Sequence, residues 1–245
     1  MVITSKDNSK YKYWLKLKNK KYRKINQQFI IEGDHIIQEA IKARVLSEII
    51  LKEGVTCSYN QPTTTLSAQL FEKLTTTVTS AGMIGICEVK DLPIDNDHRL
   101  LLIDDVKDPG NLGTLIRSAL AFNFSGIVLS PESADIYNDK VIRATQGAIF
   151  KLPIMRHDLS IYVDQLNKMG VNTYVTHLTP EAKNIETITP SEKMAFIVGN
   201  EATGVSTDLI NSSRYKVIIK MNDAVESLNV GVAGSIIMQR FNGFK

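Results

Sequence analysis

Only two cysteines, Cys57 and Cys87, occur in 245 residues, and neither belongs to a CxxC pair. That excludes a Cys-rich zinc site and a redox dithiol, and it fits a reducing, cytoplasmic home. Long apolar runs are also missing. No stretch reaches the ~20 apolar residues of a membrane span, and the opening MVITSKDNSKYKYWLKLKNKK has no signal-peptide core. Neither a GxxxxGKS/T phosphate loop nor a GxGxxG dinucleotide turn is present. His35, His98, His157 and His177 are scattered without ligand spacing, so no metal is expected. There is no internal repeat and no low-complexity segment. With 43% hydrophobic and 22% charged residues, the chain has enough apolar material to fold around a sizeable core.

Charge is present but unevenly spread. The net charge is +3, yet residues 1–95 hold 14 Lys+Arg against 10 Asp+Glu. Between residues 5 and 24, nine bases face one acid, Asp7. Lys16, Lys18, Lys20, Lys21 and Arg23 belong to this run, and Tyr11, Tyr13, Trp14 and Tyr22 interleave with it. Cations neutralise phosphates and aromatic rings offer stacking faces, so RNA is a candidate partner. The alternative is a solvated basic helix with Trp14 and Leu17 packed inward.

The polar stretch KDLPIDNDHR at 90–99 reads as a linker between two parts. Before it, strands are expected at Phe29–Glu32, Ser47–Lys52 and Met83–Val89, and helices at His35–Ala43 and Ala68–Leu74. This predicts a small α/β domain over residues 1–92. After it, over 99–245, apolar strands at Leu100–Val106, Gly126–Ser130, Asn172–Thr176, Met194–Gly199 and Tyr215–Lys220 alternate with amphipathic helices. That alternation predicts a mostly parallel sheet covered on both faces, with ligands at the carboxyl ends of its strands.

Three loops there could carry chemistry. In DDVKDPGNLGTLIRSA, at 104–119, an apolar strand runs through Pro109–Gly110 into a helix that Asn111 is placed to cap. Arg117 flanks the apolar stripe of that helix, with Gly113 leaving space beside it. It suits a phosphate grip or an ordinary surface ion pair. In FIVGNEATGVS, at 196–206, Gly199 and Gly204 permit close backbone approach, and Glu201 stands beyond a strand end. In VIIKMNDAVESLNVGVAGSIIMQR, at 217–240, a nearly all-apolar helix opens with Ser227 and Asn229, either as caps or as part of a site. Ser227, Gly231, Gly234 and Ser235 form a face of small residues that would admit another helix, a dimer partner among the options.

Taken together and in order, DPGNLGTLIRSA at 108–119, FIVGNEATGVS at 196–206 and ESLNVGVA at 226–233 resemble the three motifs of the SpoU (TrmH-like) branch of the SPOUT RNA methyltransferases. The resemblance runs over residues ~100–245. The N-terminal part is similar, more loosely, to that family's small ribosomal-protein-like substrate-binding domain.

The resemblance implies S-adenosylmethionine-dependent methylation of a ribose 2′-hydroxyl. It favours 23S ribosomal RNA over transfer RNA, and it implies a C-terminal trefoil knot and a homodimer. It places cofactor contacts on Gly199, Asn200, Ile219, Met221 and Leu228. It places catalytic roles on Asn111, Arg117, Glu201, Ser227 and Asn229, with Arg117 also meeting the RNA. One departure stands out. The third motif of the family commonly begins Ile-Pro-Met with a glycine two residues on, whereas this chain reads Ile219-Lys220-Met221-Asn222-Asp223. A looser loop and weaker cofactor binding are expected from it. The alternatives are a transfer-RNA ribose methyltransferase and a non-catalytic RNA-binding ribosome-assembly protein of the same fold.

Overall fold

The computed structural model describes residues 2–77, 80–94 and 99–243. Residues 95–98 of the expected linker, His98 among them, therefore lie outside the described residues. The chain divides into two compact units. One holds the residues up to Lys90 together with Asp135–Phe150, and the other holds Asp91–Ala134 and the chain from Lys151 onward. Residues 135–150, expected with the second part, thus group with the first.

The first unit runs β1 (Val2–Ile3), α1 (Ser9–Leu17), α2 (Lys20–Asn26), β2 (Gln28–Glu32), α3 (Asp34–Lys42), β3 (Leu46–Lys52), β4 (Thr63–Leu66), α4 (Ala68–Leu74) and β5 (Met83–Glu88). Its five strands form one sheet in the order β1-β4-β3-β5-β2. Pairing is parallel where β4 meets β1 and β3, and antiparallel where β5 meets β3 and β2.

The basic N-terminal run forms two capped helices. Asn8 accepts from the amides of Lys10 and Tyr11, and Asn19 from that of Lys21. Trp14 and Tyr11 are each only 1% exposed and pack with Leu17 against Phe71, Leu74 and Ile84. The inward-packed helix is therefore what forms, and these two rings belong to the core rather than to a stacking surface.

Arg23 corrects an expectation in the same segment. It is 9% exposed, and it donates to the carbonyls of Leu17 and Lys18 and to the Asp135 carboxylate at 2.6 Å. A guanidinium so enclosed braces the fold and is not open to the phosphate backbone of RNA. Lys18 bonds the carbonyls of Lys73 and Thr75, and Lys16 lies over the Tyr22 ring. The side chains of Lys20, Lys21 and Lys24 are exposed, and their ammonium groups make no hydrogen bond or ion pair among the described residues.

The second unit is built on β6 (Arg99–Ile103), α5 (Pro109–Ala121), β7 (Gly126–Leu129), β8 (Ile154–Arg156), α7 (Leu159–Lys168), β9 (Asn172–Thr176), β10 (Lys183–Asn184), β11 (Met194–Val198), α8 (Thr207–Ser212), β12 (Tyr215–Ile218) and α9 (Val230–Arg240). The helix between β7 and β8, α6 (Asp139–Thr145), belongs to the first unit. Seven strands pair in the order β10-β12-β9-β11-β6-β7-β8, and every pairing is parallel, as predicted. Leu100–Ile103 and Met194–Val198 are buried along their whole length, as a sheet covered on both faces requires. The chain leaves β6 toward β7 on one side and leaves β11 toward β12 on the other. The connections therefore diverge between β6 and β11, which is where open parallel sheets bind ligands.

The small-residue face of α9 is filled from within the chain. A Cβ on Gly234 would lie 2.3 Å from Leu115 Cδ2, and the hydroxyls of Ser118 and Ser235 are hydrogen-bonded at 2.8 Å. The helix it admits is α5, not a dimer partner. Gly113 is buried on α5, whereas Arg117 is exposed.

Two outcomes are expected. Gly234→Val overpacks the α5–α9 contact and destabilises the chain by about 1–3 kcal/mol, measured by denaturant unfolding. Glu32 gives the second. Burial raises its pKa, but hydrogen bonds from Thr75, Thr77, the Thr76 amide and Ser80 outweigh this and hold it below the ordinary 4.5. Its contribution is fully present above 4.5 and is lost as pH falls through the lowered native value. The stability deficit of Glu32→Gln should accordingly be constant at neutral pH and shrink below about pH 4.5.

Candidate active site

Asp108, not Asn111, caps α5: its carboxylate accepts from the Asn111 amide at 2.8 Å. Pro109 supplies the first helical turn, where a missing N–H costs nothing. This moves Asn111 into the first turn and frees its side chain. Its Nδ2 donates to Glu201 Oε1, and its Oδ1 accepts from Asn229 Nδ2 at 2.9 Å. Asn229 is itself the cap of α9, which starts at Val230, and its Oδ1 accepts from the amides of Gly231 and Val232. Asn229 is therefore both a cap and a member of the cluster. One amide at position 111 joins loops 90 and 118 residues away in sequence.

The Glu201 loop is shaped by its own backbone. Asn200 and Gly204 exchange two hydrogen bonds, Asn200 N to Gly204 O at 3.0 Å and Gly204 N to Asn200 O at 2.9 Å. Gly204 has φ +71, and a Cβ on Gly199 would lie 2.4 Å from the Gly204 carbonyl. The backbone that approaches Gly199 is thus its own loop. The Asn200 side chain is used locally too, accepting from the Ala202 and Thr203 amides and donating to the Asp105 carbonyl at 2.9 Å.

These loops enclose a cavity of about 450 Å³ at the carboxyl ends of β9, β11 and β12. Gly199, Asn200, Ile219, Met221 and Leu228 line it, as do Glu201 and Ser227. Asn111 and Asn229 tie the loops without lining the cavity, and Arg117 lies apart from it, exposed on α5 with no hydrogen bond or ion pair among the described residues. Thr176, His177 and Leu178 at the end of β9 also line it, as does Glu226. The sequence motifs do not point to the β9 end; the sheet order, which sets β9 between β11 and β12, brings it there.

The electrostatics of this wall are distinctive. It contains two carboxylates, Glu201 and Glu226, and no lysine or arginine. Lys220, between two lining residues, is exposed and outside the wall. A phosphate-bearing nucleotide would meet uncompensated negative charge, whereas a cationic ligand is favoured. Apolar Val198, Val217, Ile219 and Leu228 suit a flat ring, and the volume falls in the ~300–1,000 Å³ range of small-molecule sites. The residues present fit S-adenosylmethionine, which joins an adenine ring to a sulfonium cation. Among the described residues no three of His, Cys, Asp or Glu gather as a metal site, and no helix is long and apolar enough to cross a membrane.

A cleft of this charge and place defines an α/β enzyme unit for a cationic small-molecule cofactor. Residues 98–239 match the SpoU rRNA Methylase family and residues 8–85 the MRM3-like substrate binding domain. The chain belongs to the SpoU rRNA methylase family. It is 37% identical to the 23S rRNA (guanosine(2553)-2′-O)-methyltransferase RlmP of Bacillus subtilis, across 98% of this chain and 99% of that one. Among solved structures, the AdoMet-bound rRNA methyltransferase from Sinorhizobium meliloti superposes with a TM-score of 0.86 at 26% identity, covering 98% of this chain and 96% of that one. An RNA 2′-O ribose methyltransferase superposes with a TM-score of 0.82 at 25% identity, covering 98% and 97%.

If Asn111 ties the site together, its two bonds should be separable. Asn111→Ala is expected to lose both and weaken cofactor binding in calorimetry. Asn111→Asp keeps the acceptor for Asn229 but sets a carboxylate against Glu201, and should weaken it further.

Proposed function

We propose that this protein transfers a methyl group from S-adenosylmethionine to a ribose 2′-hydroxyl of 23S ribosomal RNA in the cytoplasm. The observation that carries the reading is the two-carboxylate cavity without lysine or arginine, beside loops joined by the Asn229–Asn111–Glu201 ties. The likeness to the Bacillus subtilis enzyme over nearly both full lengths supports ribosomal RNA as the substrate.

When bound, the cofactor supplies an electrophilic methyl group on a positively charged sulfur. The chain's part is to hold and orient. Gly199, Ile219, Met221 and Leu228 form the binding wall, and Asn200 fixes the loop that contributes to it. Asn111 and Asn229 hold Glu201 and Ser227 against the cavity. Arg117 carries free N–H donors and, as a guanidinium, has no acceptor, so it does not act as the base. Its role is to orient the hydroxyl and stabilise negative charge developing on the attacking oxygen. Lys16, Lys18, Lys20 and Lys21 supply cations along the RNA backbone, with Lys20 and Lys21 the freest.

A homodimer belongs to the same proposal. Val232 and Ile236 stand one turn apart on α9 and are 48% and 36% exposed, an apolar strip that a second copy would cover. Arg117 lies outside the cavity of its own chain, which supports its serving the cavity of the other protomer. The trefoil knot expected of the family completes the reading, supported by the close likeness in fold to the Sinorhizobium meliloti enzyme. Because Lys220 stays out of the wall while Ile219 and Met221 remain in it, the altered third motif leaves the site equipped for turnover.

Ribose-methylation mapping of ribosomal and transfer RNA, with and without the gene, tests this. Loss of one 2′-O-methyl mark in 23S rRNA, restored by wild type but not by Arg117→Ala, is expected. In vitro, Arg117→Ala should lower the single-turnover rate about 100- to 1,000-fold with cofactor affinity unchanged. An unchanged map from cells making the folded protein would refute the activity.

A further inference from the structure

The first unit contains a second cavity, of about 250 Å³, that the methyl transfer does not use. Leu17, Ile30 and Ile142 give it apolar walls, and the Tyr137 ring, set 4.4 Å from that of Phe29, borders it. Most charged groups in its wall are already partnered, Lys18 by the carbonyls of Lys73 and Thr75. Arg23 pairs with Asp135 at 2.6 Å, Arg143 with Asp139 at 2.8 Å, and Glu32 is hydrogen-bonded by Thr75, Thr76 and Thr77. The wall cations Lys18, Arg23 and Arg143 are balanced by Glu32, Asp139 and the adjoining Asp135, so no net positive charge draws an anion there.

A neutral flat ring fits better. At its edge Asn138 has one end of its amide fixed: Oδ1 accepts from the Lys140 amide at 2.9 Å as the cap of α6. Its Nδ2 has no partner among the described residues and is left as a donor. The volume is below the ~300–1,000 Å³ of sites for drug-sized ligands and suits a single heterocycle. Helix α2, which sends Arg23 into this wall, also presents Lys20, Lys21 and Lys24 to solvent, where they can hold backbone phosphates.

We infer that this cavity receives one unstacked base of the RNA substrate, held between the apolar walls, with Asn138 Nδ2 donating to a carbonyl on the base edge. Sequence-specific RNA recognition works on splayed bases of this kind. The inference rests on the RNA methyltransferase reading and adds a base-reading site to it.

The test uses the full-length protein and a 23S rRNA transcript. Thr76→Trp plugs the mouth from an exposed position, and Asn138→Ser keeps a helix-capping oxygen while removing the amide donor. Each should raise the RNA Kd and the KM for RNA about tenfold, leaving kcat and cofactor affinity unchanged. Transcripts carrying 4-thiouridine or 6-thioguanosine should photo-cross-link to the peptide containing Tyr137 and Asn138 in wild type, and lose that cross-link in Thr76→Trp. Unchanged Kd and KM in both folded variants, or cross-links confined to other peptides, would overturn the proposal. A wild-type protein that binds no 23S rRNA would overturn the underlying reading and this site with it.

Discussion

The carboxamide of Asn111 joins three segments that the chain delivers separately: the start of α5, the hairpin after β11 and the start of α9. Joining a carboxylate on one side to an amide on the other needs one group with a donor at one end and an acceptor at the other. Asn meets that demand with the shortest side chain, and Asp cannot donate to Glu201. The arrangement holds because Asp108 satisfies the helix end in Asn111's place, and because Gly234 lets α9 lie directly on α5. Sheet order does the rest: β6 and β11 are neighbours, so their loops emerge side by side.

Charge separates these two cavities. Around the cofactor cavity the wall carries Glu201 and Glu226 without a cation, which selects for positive charge in the ligand. In the first unit the wall cations Lys18, Arg23 and Arg143 are balanced by Glu32, Asp139 and the adjoining Asp135, which favours a neutral ligand. The unspent positive charge sits on the surface, on Lys20, Lys21 and Lys24. A polyanion with neutral bases and a sulfonium cofactor thus each meet the surface that suits them.

Much of this was legible in the amino-acid sequence. Alternation of apolar runs with amphipathic helices predicts the parallel sheet, because strands buried on both faces must be continuously apolar. Three motifs in order carry the family. The roles of individual polar residues were harder to read. Asn111 looks like a cap because capping is local, and only the position of Asp108 one turn earlier shows otherwise. Arg23 looks like its lysine neighbours in the sequence, but its partner Asp135 is 112 residues away.

The sequence by itself determined which elements form, which family they build and which residue types are available to the site, since these follow from local periodicity and motif. Tertiary structure alone decided what each polar group does: that α9's small face admits α5, that residues 135–150 complete the first unit, and that Arg23 is buried while Lys20 is free. Burial and hydrogen-bond partnership depend on contacts between residues far apart in the chain, and no local pattern encodes them.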